Sequence, residues 1–322
     1  MYILAQDFKQ DELDQFIKDG WSYPLPGSGS GGANGLSAYQ IALKHGFNGS
    51  ESAWLNSLKG TSVDPLANKN IVFIGDSIIL GKGNIEQTDG LGKLTSGFQY
   101  CVKQKHPDAK VYNFASDGAI LTSAYRNVFE STFGYTMKSI ISELDLMDKQ
   151  GVVPDYIVMD GGSNDINNLF SLNMTDKIGS ISSYENRYHS ITDGSTVYGA
   201  LEDIFIRIRT KYPNCKIIYL SFMESSIEGL KMVYGNNMTD ELITAIQMVF
   251  EEVKTRFTDI YQICRNYKCQ FINLYISSPD TYTAENARLY TIDGSHPTLA
   301  GYQYMYPIID DALINMRNDQ YL

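Results

Sequence analysis

Histidine is scarce in this chain, with four among 322 residues. Metal-dependent phosphoesterase sites usually interleave several histidines with carboxylates, so Asp76, Asp160, Asp165 and Asp293, all near expected strand ends, do not amount to such a centre. No metal or organic cofactor is implied. Cysteine is as rare: positions 101, 215, 264 and 269 are too few and too scattered for a disulfide scaffold. Cys101 and Cys215 read as small buried hydrophobes, and Cys264 and Cys269 as free thiols, with a bridge between the latter two left open. Basic charge is in deficit, 26 Lys and Arg against 37 Asp and Glu, for a formal net charge of -11. That sign repels a nucleic-acid backbone and an anionic membrane, and leaves neutral or esterified carbohydrate as the better-matched partner. No apolar run is long enough to span a bilayer, and Met1 to Asp7 has neither the basic start nor the apolar stretch of a secretory signal.

What the chain does have is apolar mass. With 43% hydrophobic and 12% aromatic residues, it can bury the core of one sizeable α/β domain and a smaller piece. The smaller piece comes first. Residues 1–26 carry an acidic amphipathic pattern ending in Trp21, Tyr23, Pro24 and Pro26, and residues 27–36, opening Gly27-Ser28-Gly29-Ser30-Gly31-Gly32, read as a flexible linker. Residues 37–60 form a short helical module, in which Ser37 caps a helix that stops near Gly46 and Ser50 caps one that stops at Gly60. His45 suits a helix C-terminus better than a ligand position. Helices this short cannot bury Tyr39, Leu43, Trp54, Leu55 and Leu58 by themselves, so they need a neighbour, either the main domain or another subunit.

Over residues 65–322 strand and helix patterns alternate. Strands are expected over about 70–75, 110–115, 155–160, 216–222 and 270–275, with helical patterns such as 136–149, 197–211 and 240–267 between them and a last helix from about Leu299 to Ile314. Such alternation argues a parallel sheet with helices on both faces and right-handed crossovers. In that architecture the carboxyl ends of the strands face the ligand crevice. The apolar run Ile71-Val72-Phe73-Ile74 is cut off there by Gly75-Asp76-Ser77, which presents the Ser77 hydroxyl with Asp76 as the cap of the turn. A serine needs a base and oxyanion donors to act as a nucleophile. In Asp293-Gly294-Ser295-His296-Pro297 the spacing lets the Asp293 carboxylate hold one ring nitrogen of His296 while the other serves Ser77. Val158-Met159-Asp160-Gly161-Gly162-Ser163-Asn164-Asp165 is another buried strand breaking into glycines, and the Asn164 amide beyond it can donate to an oxyanion. His106, before a proline at a helix end, reads as solvated.

The blocks Gly75-Asp76-Ser77, Gly162-Ser163-Asn164-Asp165 and Asp293 to Pro297, in that order, resemble the signature of the SGNH (GDSL-like) hydrolases. The resemblance implies an α/β, flavodoxin-like three-layer sandwich around a five-stranded parallel sheet in the order 2-1-3-4-5. It also implies a serine esterase, with Ser77 as nucleophile, His296 as base and Asp293 orienting the imidazole. The implied oxyanion donors are the Ser77 N–H, a glycine N–H and the Asn164 side chain. Lys110-Val111-Tyr112-Asn113-Phe114-Ala115-Ser116-Asp117-Gly118 makes Gly118 the choice for the glycine. Asp117 departs from the pattern, because a carboxylate beside an oxyanion opposes its charge unless it points away or pairs with a cation. Residues 37–60 are similar to a short module of phage tail and baseplate proteins. That likeness implies a homo-oligomer or a tail-protein partner through residues 1–60 and an enzyme carried on a virion tail, outside the cell when it acts; otherwise the missing signal implies the cytoplasm.

About 35 residues separate Asn164 from the next expected helix, more than an ordinary βα connection of about two to six, and read as a substrate loop or an oligomer contact. Phe170, Tyr184, Tyr188 and His189 within it are side chains able to stack on sugar rings. The following Thr196-Val197-Tyr198-Gly199-Ala200-Leu201 is similar to a segment of bacterial and phage SGNH esterases. Residues 223–239, with Met223, Glu224 and Tyr234, form a second candidate wall. The expected substrate is an acetyl ester on a bacterial surface polysaccharide. The alternatives are a lipase or lysophospholipase, against which the polar, tyrosine-rich loops argue, and a carbohydrate-binding receptor on an esterase fold. A pure binder has no need of the complete Ser77, Asp293 and His296 set.

Overall fold

Apolar strands alternate their side chains between two helical layers, and this frame positions everything at the crevice. In a computed structural model, residues 37–58, 64–82, 96–181, 194–223 and 225–315 are described, and the chain divides into two units, Met1–Ser62 and Val63–Leu322. The expected segment 1–26 and linker 27–36 lie outside the described residues.

In the first unit the helices are Ala38–Lys44 and Glu51–Leu58. Ser37 builds a capping box with Gln40: its Oγ accepts from the Gln40 N–H at 3.2 Å while its own N–H donates to Gln40 Oε1 at 2.8 Å. Ser50 Oγ likewise accepts from the Ala53 N–H at 3.2 Å. The Tyr39 and Trp54 rings meet at 5.8 Å, and the Tyr39 hydroxyl donates to Gly49 O at 2.6 Å. Ile41, Leu43 and Leu55 remain 42–50% exposed, as expected of helices too short to make a core.

The second unit is built on β1 (Asn70–Ile74), β2 (Lys110–Asn113), β3 (Tyr156–Met159), β4 (Lys216–Leu220) and β5 (Gln270–Ile272). They form one parallel sheet in the order β2-β1-β3-β4-β5. Ile71, Phe73, Tyr156, Val158, Ile218 and Leu220 enter one core with Phe98, Tyr302, Met305 and Ile309, from the helices Phe98–Lys105 and Leu299–Asn315. Val72, Ile74, Ile157, Met159, Ile217 and Tyr219 enter the other core, with Leu144, Ile166, Phe205 and Ile263 from helices on the opposite face. The inner strands β1, β3 and β4 are covered on both faces, which is why they read as apolar runs, whereas the edge strands β2 and β5 are only partly buried. The second unit is thus the three-layer α/β sandwich with the expected strand order.

Several boundaries differ from expectation. The last strand ends at Ile272 because Asn273 caps a one-turn helix, Leu274–Ser277, ending the run expected to reach 275. The pattern over 240–267 is two helices, Asp240–Thr255 and Phe257–Asn266, parted at Arg256 where Phe257 turns onto Phe222 at 5.8 Å between ring centres. The long connection after Asn164 is largely structured: a helix runs Ser163–Ser171 and a 3-10 turn Thr175–Ile178, with residues 182–193 outside the described set. Its polar sequence hides the helix, since Ile166 and Leu169 are the apolar residues it buries. His106 is not solvated: it is 5% exposed, with Nδ1 2.7 Å from Asp64 and Nε2 2.8 Å from Asp310. The two carboxylates satisfy both ring nitrogens and join the start of the domain to its last helix. All four cysteines are free and buried, and burial pushes the Cys269 thiol up to about 12.

Candidate active site

β1 ends at Ile74, and the chain turns through Gly75 and Asp76 into the one-turn helix Ser77–Leu80. Gly75 has φ +142, and a Cβ added there would stand 1.9 Å from Asp160 Oδ1, so a larger residue would displace that carboxyl. Asp76 caps the helix, with Oδ1 accepting from the Ile78 N–H at 2.9 Å and Oδ2 from Ser163 Oγ at 2.6 Å. Two buried acids hold the turn from below: the Asp76 N–H donates to Asp160 Oδ1 and the Gly75 N–H to Glu143 Oε2, each at 2.8 Å. Burial, reinforced by the Asp76 charge, pushes the Asp160 carboxyl well up, and burial pushes Glu143 up likewise. Their protonated forms are thereby favoured, which limits the repulsion among three carboxyls under one turn.

The imidazole beside Ser77 comes from a distant part of the sequence. His296 Nε2 lies 2.9 Å from Ser77 Oγ, and its Nδ1 lies 2.7 Å from Asp293 Oδ2. The other oxygen of Asp293 accepts the backbone N–H groups of Ser295 at 3.0 Å and His296 at 2.9 Å, so the carboxylate is the hub of its own loop. Burial alone would raise the Asp293 pKa, but the His296 ring and these N–H groups outweigh it and hold the carboxyl well below the ordinary range. The loop is closed by the Ile292 N–H donating to His296 O at 2.8 Å and braced by the Ser226 N–H donating to Gly294 O at 2.6 Å. The next helix, Leu299–Asn315, is tied to the serine helix by the Tyr302 hydroxyl, which donates to Ile78 O at 2.7 Å.

Across the crevice, Asn164 sits in the first turn of the helix Ser163–Ser171, and its Nδ2 donates to Ala119 O at 2.9 Å. One amide proton is used there. The Asp76 oxygen near the same nitrogen is 3.5 Å away, longer than an ordinary hydrogen bond. Gly118 follows β2 with φ +65. Its loop is fixed by Asp165, whose oxygens accept the N–H groups of Leu121 at 2.9 Å and Thr122 at 3.0 Å. Burial pushes Asp165 up to about 7 despite these donors. Asn164 and Asp165 therefore set their own helix and the Gly118 loop in one register. Asp117, the residue out of pattern, is paired: Lys82 Nζ stands 2.9 Å from its Oδ2.

Ser77, Gly118, Asn164 and His296 line one cleft of about 620 Å³, in the usual size range of ligand sites. They come from the carboxyl ends of β1, β2 and β3 and from the loop before the last helix, with Ser77 and Asn164 on either side of the point where the strand order reverses. Phe222, Met223, Phe250 and Val253 supply an apolar wall. Of the expected sugar contacts, Phe170 is half-buried on the helix Ser163–Ser171, whose cleft-lining residues are instead Ser163, Asn164 and Asn167. Tyr184, Tyr188 and His189, and Glu224 of the second wall, lie outside the described residues. Tyr234 is 53% exposed and is not among the described residues lining the cleft. Sequence reasoning missed Lys82, Phe250 and Glu143. Glu143 did carry a signal, a carboxyl on the buried stripe Ile140, Leu144 and Met147 of an amphipathic helix. Among the described residues, no group of three or more His, Cys, Asp and Glu is placed to hold a metal ion.

The arrangement can accept a proton from a serine hydroxyl, hold the imidazolium beside a carboxylate and offer donors to an oxyanion. A sequence model of the GDSL-like Lipase/Acylhydrolase family matches residues 73–304, more than half of the chain, and the chain belongs to that family. It is accordingly an acylhydrolase, an enzyme that cleaves carboxylic esters. Among solved structures, phospholipase A1 from Streptomyces albidoflavus NA297 is similar at 17% identity and a TM-score of 0.47, over 76% of this chain and 99% of that one. An α/β hydrolase enzyme from the metagenome of Lake Arreo, Spain, is similar at 16% identity and a TM-score of 0.46, over 78% and 99%. A further structure, 21% identical, reaches a TM-score of 0.51 over 77% and 97%, a likeness of fold. Comparison with curated proteins finds no match.

Proposed function

We propose that the chain is a serine esterase that removes O-acetyl groups from a bacterial surface glycan. The observation that carries the chemistry is the unbroken relay Ser77–His296–Asp293, with contacts of 2.9 and 2.7 Å. Ser77 attacks the ester carbonyl as His296 takes its proton, and Asp293 stabilises the imidazolium. The tetrahedral oxyanion is held by the Ser77 and Gly118 N–H groups and by the second amide proton of Asn164. Collapse expels the alcohol, which His296 protonates. Water then attacks the acyl-enzyme by the same route and releases the acid. The glycan reading is supported by a cleft whose rim is polar, with Lys82, Asp117, Thr136, Asn167 and Ser225 around a short apolar wall. The similarity of residues 37–60 to phage tail modules supports a virion-borne enzyme that assembles through residues 1–60.

The test is hydrolysis of short and long p-nitrophenyl esters by the wild type and by Ser77→Ala, with EDTA controls. Acetate-selective activity that resists EDTA and vanishes in the variant is expected. Activity that persists without Ser77, or is lost with EDTA, overturns the assignment. Removing residues 1–60 should leave hydrolysis intact and lower the number of subunits in the oligomer, and an unchanged subunit number would refute the assembly role.

A further inference from the structure

A second groove of about 410 Å³ opens beside the catalytic cleft, and Ser225 and Phe250 line both. Its walls are the helices Ile227–Tyr234 and Asp240–Thr255 and the segment around Thr281 and Tyr282. None of these residues takes part in the relay or the oxyanion site.

The side of the reaction that this groove serves follows from proton transfer. His296 must protonate the departing oxygen, so the alcohol half of the ester lies on the His296 side. Ser295, the neighbour of His296, is bonded through Oγ to Ser225 Oγ at 3.2 Å, and the next residue, Ser226, donates its N–H to Gly294 O at 2.6 Å. The groove that begins at Ser225 therefore continues the alcohol side. Its chemistry is that of a neutral polyol site. Tyr282, 74% exposed, and Tyr275 line it with aromatic rings, and Gln247, Thr281 and the Glu228–Lys231 pair, at 2.7 Å, offer donors and acceptors. Its two acids are paired, Glu228 with Lys231 and Glu251 with Lys254 at 3.1 Å, which suits a neutral ligand better than an anionic headgroup.

We infer that this groove is a binding subsite for the sugar ring next to the esterified one, so that the substrate is an oligosaccharide or longer glycan rather than an esterified monosaccharide. The inference rests on the glycan reading of the catalytic cleft. Tyr282 provides a stacking face and Gln247 a polar contact, and Phe250 separates the two rings.

The probes are p-nitrophenyl acetate, O-acetylated xylose and O-acetylated xylotetraose, assayed with the full-length wild type, Tyr282→Ala, Gln247→Ala and, as an exposed tyrosine outside both cavities, Tyr261→Ala. The wild type should prefer the tetraose ester to the xylose ester in kcat/KM. Tyr282→Ala should cut that preference about fivefold to tenfold through KM, with Tyr261→Ala retaining it. Calorimetric titration of xylotetraose into Ser77→Ala should show a dissociation constant raised by the same factor when Tyr282→Ala is added. Equal use of both sugar esters by the wild type, or a preference untouched by Tyr282→Ala and Gln247→Ala, overturns the subsite while leaving the esterase reading standing. Hydrolysis of p-nitrophenyl acetate with neither sugar ester cleaved overturns the subsite as one for neutral sugar rings, with the esterase reading again left standing.

Discussion

Glu143→Gln probes the buried acids beneath the turn that carries Ser77. Glu143 is 2% exposed and accepts the Gly75 N–H at 2.8 Å. Burial raises its carboxyl well above its ordinary value of 4.5, and the Gly75 N–H only partly opposes that. Above about pH 4.5 the unfolded chain releases this proton while the folded protein keeps it. The folded state then binds more protons, so this group's stabilisation is complete below that pH and is lost as pH rises through the folded pKa. Within that window each pH unit costs about 1.4 kcal/mol. Glutamine keeps the shape and an acceptor for Gly75 but cannot ionise. The unfolding free energy of Glu143→Gln minus that of the wild type should therefore climb by about 1.4 kcal/mol per pH unit across the window. Urea unfolding at pH 5, 6 and 7, followed by far-ultraviolet circular dichroism, gives the difference directly. Taking it cancels Asp293 and Asp310, whose lowered pKa values contribute stability that is lost as pH falls instead. A flat difference would refute the reasoning, because it would mean that Glu143 is already ionised when folded.

Three further outcomes are expected. Asn164→Ala should lower kcat on p-nitrophenyl acetate by about 100-fold to 1000-fold with little change in KM, and a loss confined to KM would remove Asn164 from the oxyanion site. Lys82→Met uncovers the Asp117 charge next to Gly118 and should reduce kcat about twofold to fivefold, the scale of an exposed ion pair, with Asp117→Asn restoring it in the double variant. Restoration failing would show that Lys82 acts on something other than Asp117. Gly229→Ala would drive a Cβ to 2.4 Å from Gly294 Cα, so thermal melting and kcat should both fall although no relay residue is changed; a variant with wild-type values would mean that the loop yields freely.

The parts of this molecule legible in sequence are those with local causes. Runs such as Ile217-Ile218-Tyr219-Leu220 announce strands covered on both faces, and Ser37, Ser50 and Asp76 announce caps, because the cause of each lies within a few residues. Strand order was of another kind: alternation of strand and helix is the same for many orders, and only the resemblance carried by the three blocks supplied it. The helix Ser163–Ser171 was hidden because its buried face carries Asp165 and Asn168 as well as Ile166 and Leu169, so its stripe is not apolar. His106 and Lys82 were illegible for a different reason. Their partners, Asp310 and Asp117, are brought to them only by the tertiary fold, and no local pattern encodes such a meeting. The groove behind Phe250 depends on two helices packing across a loop, again beyond any periodicity.

Ser77 and His296 are 219 residues apart, and His296 is followed directly by the helix Leu299–Asn315. At synthesis rates of about 5–20 residues per second, roughly 10–45 s pass between the making of Ser77 and the making of His296. On the proposed mechanism, the nascent chain holds the Ser77 hydroxyl without its base throughout that interval, and the first sheet strands can assemble without hydrolytic power. On the proposed mechanism, turnover waits until the His296 loop and the helix Leu299–Asn315 have left the ribosome and docked, so ester cleavage would report that this part of the fold has formed. On the same mechanism, a chain broken off before His296 would be chemically silent.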